Sequence, residues 1–163
     1  MEFIDNNNFN DYVEKYKKLP LSEKKAIVEK EIIELITVLD DLNKGCCMGS
    51  DAVKVILEKV ESKKFNKACE NLLEAYEDLE ERVNKIYDEY SDEEPTETNA
   101  MNKAMTWYGI QMRTITDDSE SKLAEMLLQG LNMGVIEGRK MLNHEEMPDN
   151  IKELINDYVD MQE

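Results

Sequence analysis

The sequence predicts an all-α fold, a single-domain helical bundle of about six or seven helices around a long central antiparallel helix pair. Two observations carry this expectation. Apolar residues recur at steps of three and four along most of the chain, and the alternation of a half-buried strand is nearly absent. The composition agrees: 35% of residues are charged and 41% hydrophobic, with only 6 glycines and 3 prolines in 163 residues. A chain of this length can bury a substantial core without disulfides or metal. Residues 1–163 are therefore read as one domain, with a hinge-like acidic connection at 88–99.

The first helix is expected from about Phe9 to Lys18, ending before Pro20. Ser22 is placed to cap a second helix with apolar positions Val28, Ile32, Leu35, Leu39 and Leu42. Ile27, Ile33, Ile36 and Val38 widen that face, so the helix should be buried on more than one side. Gly45 and Gly49 of "NKGCCMGS" are read as its stop, with Ser50 or Asp51 starting a shorter helix through about Glu61. Next comes the most regular pattern in the chain. Phe65, Cys69, Leu72, Tyr76, Leu79, Val83, Ile86 and Tyr90 alternate steps of four and three, a seam that needs a long neighbour. The second helix would serve, and so would the 65–90 helix of a second copy in a homodimer.

"DEYSDEEPTETN" (88–99) is polar, acidic and interrupted by Pro95, as expected of an exposed connection. Thr96 or Thr98 then caps a helix with Met101, Met105, Tyr108, Met112 and Ile115 along one stripe, while Trp107 and Ile110 fall well off it. Asp117 and Glu120 in "TDDSE" signal another helix start, with the helix running from about Ser119 to Asn143. Met147-Pro148 interrupts, and a last helix extends from about Asp149 to Met161.

Within the Ser119–Asn143 helix, Gly130, Gly134 and Gly138 recur every four residues in the middle of the apolar face. Interior glycine costs about 1 kcal/mol against alanine, so the ridge sacrifices roughly 2–3 kcal/mol of local stability that something must offset. A membrane dimer motif does not fit the polar flanks Gln129, Asn132, Glu137 and Arg139. The expectation is a notch filled by core side chains, with Tyr108, Met112 and Tyr76 as candidates. The alternative is a small-ligand groove anchored by Glu137.

The formal net charge is −17, unevenly spread. Residues 1–63 hold 10 basic and 13 acidic side chains, residues 64–99 hold 4 and 12, and residues 100–163 hold 6 and 12. Such a field repels phosphate backbones and attracts basic surfaces, which argues against direct nucleic-acid binding. No secretory or membrane-spanning segment is evident, so a cytoplasmic location is expected. Adjacent Cys46 and Cys47 with a distant Cys69 do not form a disulfide framework. His144 is the only histidine, so histidine-based metal sites cannot be assembled, and a Ser-His or Cys-His arrangement would have to use this one residue, which follows a helix end and is read as a cap.

The favoured reading is a non-enzymatic acidic interaction protein, without cofactor or catalytic residue. It would be an inhibitor or immunity-type protein that blocks the basic, nucleic-acid-binding surface of a toxin or defence nuclease, in the manner of phage anti-defence (anti-CRISPR) proteins. Its expected contacts are Asp88, Glu89, Asp92, Glu93 and Glu94, with Trp107 and Ile110 as apolar anchors. The alternative is enzymatic. "EKEIIELITVLDD" and "ENLLEAYEDLEE" partly resemble the two acidic helices of the all-α nucleoside-triphosphate pyrophosphohydrolases. That resemblance implies Mg²⁺ held by Glu31 and Glu34 with Glu74 or Glu77 and Asp78. The chain departs from the family pattern at Lys30, which interrupts the first motif, and at Ala75, which stands where the second needs a glutamate.

Overall fold

A computed structural model describes residues 14–15, 17–91, 103–117, 119–144 and 147–163, the side chains of 103–107 excepted. Among the described residues the protein is all-α, with no strand. Five helices are defined: α1 (Leu21–Leu57), α2 (Lys63–Tyr90), α3 (Lys103–Arg113), α4 (Glu120–Met141) and α5 (Asp149–Gln162). The predicted first helix lies largely outside the described residues, and so do Thr96 and Thr98, the expected caps of the helix that carries Tyr108 and Met112. The chain divides into two compact units, residues 1–35 and 36–163.

In the first unit, the N–H groups of Glu23 and Lys24 both donate to the Pro20 carbonyl at 3.1 Å, which starts α1. Lys24 Nζ donates to the Lys17 carbonyl at 2.8 Å, and Lys17 pairs with Glu14. The expectation that this part of the helix is buried on more than one side fails. Leu21, Val28, Ile32 and Ile33 are 70, 43, 37 and 63% exposed. The apolar pattern is real, but the described residues of this unit supply no second layer to cover it.

The second unit holds the core. Leu39, Leu42, Cys46, Val53 and Ile56 of α1 are fully buried, as are Cys69 and Val83 of α2 and Leu123 of α4. The centre, however, is α5. Ile151, Leu154, Ile155, Tyr158 and Val159 follow one another at helical spacing with at most 1% exposure, and the closest helix packing joins α5 to α4 and to α2. A short central helix thus takes the place of the expected long antiparallel pair, and among the described residues five helices are defined where six or seven are expected of the whole chain.

The helix count falls partly because α1 does not stop at Gly45 and Gly49. No glycine in the described residues has a positive φ, so neither acts as a terminator. Both sit inside the helix as notches. The Tyr158 hydroxyl lies 2.5 Å from where a Gly45 Cβ would be, and the Tyr76 ring occupies the same space at Gly49. The aromatic rings approach the α1 backbone more closely than any side chain there would allow. Helix α1 instead ends at Leu57, where Lys59 and Val60 turn back onto the Ile56 carbonyl. Ser62 caps α2 by accepting the Phe65 N–H at 3.4 Å, while its own N–H donates to the Glu120 carboxylate at 2.6 Å. That bond ties the α1–α2 corner to the first turn of α4.

The predicted seam of α2 is used within the chain. Cys69, Tyr76, Leu79, Val83 and Tyr87 are buried, and Phe65, Leu72, Ile86 and Tyr90 are half-buried. Towards the C-terminus the buried row passes through Tyr87 rather than Ile86 and Tyr90. A straight helix turns every 3.6 residues, so a 3.5-residue pattern drifts off the core unless the helix supercoils.

Gly49→Ala forces a methyl group into the Tyr76 ring, whereas an added methyl at Gly109 meets only Met48 Cε at 3.9 Å. Gly49→Ala is therefore expected to lower unfolding stability by about 1–2 kcal/mol despite its better helix propensity. Gly109→Ala should raise stability by up to about 1 kcal/mol. Urea denaturation of the two variants beside the parent protein checks both signs.

Candidate functional site

The glycine ridge of α4 is occupied. Above Gly130 lies the Tyr108 ring, above Gly134 the Gln162 carboxamide, and above Gly138 the Val159 methyl with the Tyr158 ring 3.2 Å from the would-be Cβ. These contacts are fastened by hydrogen bonds. Tyr108 donates its hydroxyl to the Met126 carbonyl at 2.8 Å, Tyr76 donates to Gln162 Oε1 at 3.1 Å, and Gln162 Nε2 donates to the Tyr158 carbonyl at 2.8 Å. Burial raises the Tyr108 phenol to about 12 and pushes Tyr76 and Tyr158 up further, so all three phenols stay neutral.

Of the expected fillers, Tyr108 lies on the ridge itself, and Met112 is buried. Tyr76 lies on Gly49 and reaches the ridge through Gln162. The α5 fillers were legible in principle, since Ile151, Leu154, Ile155, Tyr158, Val159 and Gln162 repeat at helical spacing. The gap left between Gly45, Gly49, Tyr76, Gly130, Gly134 and Tyr158 measures about 30 Å³. It has room for one or two waters and is far below the few hundred Å³ of a metabolite pocket. Glu137, the proposed anchor of a groove, pairs with Lys140 at 2.7 Å. The ridge is a packing device.

The thiols are equally quiet. Burial raises the Cys46, Cys47 and Cys69 pKa values, Cys47 to about 11 with Glu80 adding to the effect. A thiol that stays protonated is a poor nucleophile. The carboxylates of the magnesium reading lie on exposed helix faces: Glu31 and Glu34 on α1, Glu74, Glu77 and Asp78 on α2. Glu34 pairs with Lys30, Glu77 with Lys54, and Asp78 with Arg82 at 3.5–3.6 Å. No group of three or more His, Cys, Asp or Glu side chains able to hold a metal occurs among the described residues. Side chains one turn apart on an outer helix face splay into water, and convergence needs a facing element.

Of the expected partner contacts, Asp88 and Glu89 are exposed on the last turn of α2, and Ile110 is 54% exposed on α3. Asp92, Glu93, Glu94 and the Trp107 side chain lie outside the described residues. The acidic row runs further back along α2 than the 88–99 segment suggested. Glu70, Glu74, Glu77, Glu81 and Asp88 are all exposed. At 100° per residue they fall within an arc of about 60°, a stripe about 27 Å long. Lys67, Lys54 and Lys85 border it through ion pairs with Glu70, Glu77 and Glu81. Steps of four, three, four and seven between these acids are visible in the sequence, where Glu74 and Glu77 belong to the magnesium reading and Asp88 to the partner contacts.

Two acids of α1 are drawn out of solvent, buried Asp40 and half-buried Asp41. Asp41 is partly buried on α1, and its carboxyl is pushed above the usual range by burial, opposed by Lys44 and reinforced by Asp40 and Glu137. Comparison with known protein families, characterised proteins and solved structures finds no match to this chain.

Two outcomes are expected. Alkylation of Cys47 in the folded protein should accelerate about tenfold per pH unit and keep rising towards pH 11, where an ordinary thiol levels off near 9; stopped alkylation with peptide mapping reads this. A carboxyl whose folded pKa exceeds its unfolded value holds its proton better when folded, so the stability it lends at low pH is lost as pH rises through that interval. Asp41→Asn should thus raise the melting temperature at pH 7 and leave it unchanged near pH 3, as followed by circular dichroism.

Proposed function

We propose that the protein works by binding and not by catalysis: it docks on the basic, nucleic-acid-binding surface of a partner protein and blocks it. The observation that carries this reading is the stripe of carboxylates along α2, on a chain of net charge −17. Carboxylates at one-turn intervals attract lysine and arginine side chains that would otherwise hold phosphates, and the summed field steers the encounter. Ionic screening shortens that field to about 8 Å at physiological salt, so the complex should form fast and weaken with salt.

In this reading Glu70, Glu74, Glu77, Glu81, Asp88 and Glu89 supply the charge, with Asp92, Glu93 and Glu94 extending it in sequence. Ile110 and Trp107 are the apolar contacts. The biological role that fits such chemistry is that of an inhibitor or immunity protein directed at a toxin or defence nuclease, acting inside the cell that holds the target.

The test compares the parent protein with Glu70→Lys/Glu74→Lys/Glu81→Lys as immobilised bait in lysate of the source cell or its mobile-element rivals, with captured proteins identified by mass spectrometry. The expected catch is a protein of pI above about 9 that is released by about 0.5 M salt, is missed by the variant, and loses its nucleic-acid binding when the parent protein is added. Equal capture by parent and variant, or a captured partner that still binds nucleic acid, would overturn the reading.

A further inference from the structure

The spacing of α1 does not end where its burial ends. Leu21, Lys25, Val28, Ile32 and Leu35 continue, at the same alternating steps of four and three, the row formed by Leu39, Leu42 and Cys46. The inner members of this row are completely buried, whereas Leu21, Val28 and Ile32 are 70, 43 and 37% exposed. A single exposed leucine is ordinary. Leu21, Val28 and Ile32 hold three of four consecutive seam positions, with Lys25 at the other, and such a row forms a surface matched to another helix.

Charge selects the occupant. Residues 1–35 contain 6 basic and 8 acidic side chains, whereas residues 36–163 contain 14 and 29. A second copy of the chain is repelled by most of the molecule but tolerated at this nearly balanced segment. The segment is also complementary to itself in one orientation. With two copies antiparallel and Leu21 of one helix opposite Ile32 of the other, Val28 packs against the Lys25 stem, and the Lys25 ammonium falls beside the opposite Glu29. The two-fold axis makes each contact twice. A parallel pairing would instead set Lys25 against Lys25.

We propose that residues 21–32 of α1 form a self-association face that pairs antiparallel with the same segment of a second copy. Lys25 is the polar core position that fixes the register and limits the strength. The overlap is about 18 Å long, which makes the interface smaller than a standard one and the dimer dissociable on dilution.

Sedimentation equilibrium of the full chain over roughly 10 µM to 1 mM should show a reversible monomer–dimer exchange. Val28→Asp should abolish the dimer while leaving the thermal unfolding of the dilute protein unchanged, because Val28 is already 43% exposed. Lys25→Glu and Glu29→Lys should each weaken the dimer about threefold to thirtyfold, and an equimolar mixture of the two should recover dimer as a heteropair. A monomer across the whole range overturns the proposal. So does a dimer indifferent to Val28→Asp, which would use another face, or a mixture that associates no better than either variant alone.

Discussion

The fold depends on aromatic rings resting directly on helix backbone. Tyr158 over Gly45, Tyr76 over Gly49 and Tyr108 over Gly130 each place a large ring where a Cβ would stand. Removing the Cβ costs helix propensity but lets the rings bury deeply and bring their hydroxyls to fixed acceptors, such as the Met126 carbonyl and Gln162 Oε1. Each helix is weakened locally so that the contacts between helices can be close. The favourable balance comes from ring burial, since a tyrosine removes far more apolar surface from water than an alanine methyl would.

This packing also bears on where function can reside. Rings, Gln162 and Val159 fill the notches, the thiols are held protonated, and the remaining gap admits only water. Among the described residues, the space around the glycine notches is taken up by packing contacts. What the molecule presents outward is the acidic stripe of α2 and the apolar half-seam of α1, and the two proposals above rest on these faces separately. The stripe faces solvent because the opposite side of the same helix, from Cys69 to Tyr87, is spent on the core.

Much of this was legible in the sequence, and the misreadings have physical causes. The helices starting near residues 63, 120 and 149 follow from periodicity and start signals, and Tyr108 is the one of three expected fillers that lies on the α4 ridge itself. Gly45 and Gly49 misled because glycine has two uses, ending a helix through a positive φ or admitting a neighbour inside one, and only the tertiary partner decides between them. The centre was misplaced because length and regularity favour α1 and α2, whereas centrality depends on being surrounded, which short α5 achieves. The exposed Leu21, Val28 and Ile32 show the converse limit: an apolar period marks a face that wants a neighbour without saying whether the chain provides one.

The central position of α5 also sets an order of events during synthesis. Of the five helices it leaves the ribosome last, so α1, α2 and α4 emerge with the faces that will enclose it still open. Until residues 151–162 are out, Gly45, Gly134 and Gly138 lie uncovered, and Tyr76 has no Gln162 to bond. The nascent chain thus holds most of its apolar core in waiting for a single late segment, a state in which such surfaces attract chaperones or one another. Closure then waits on one short helix, around which α1, α2 and α4 settle.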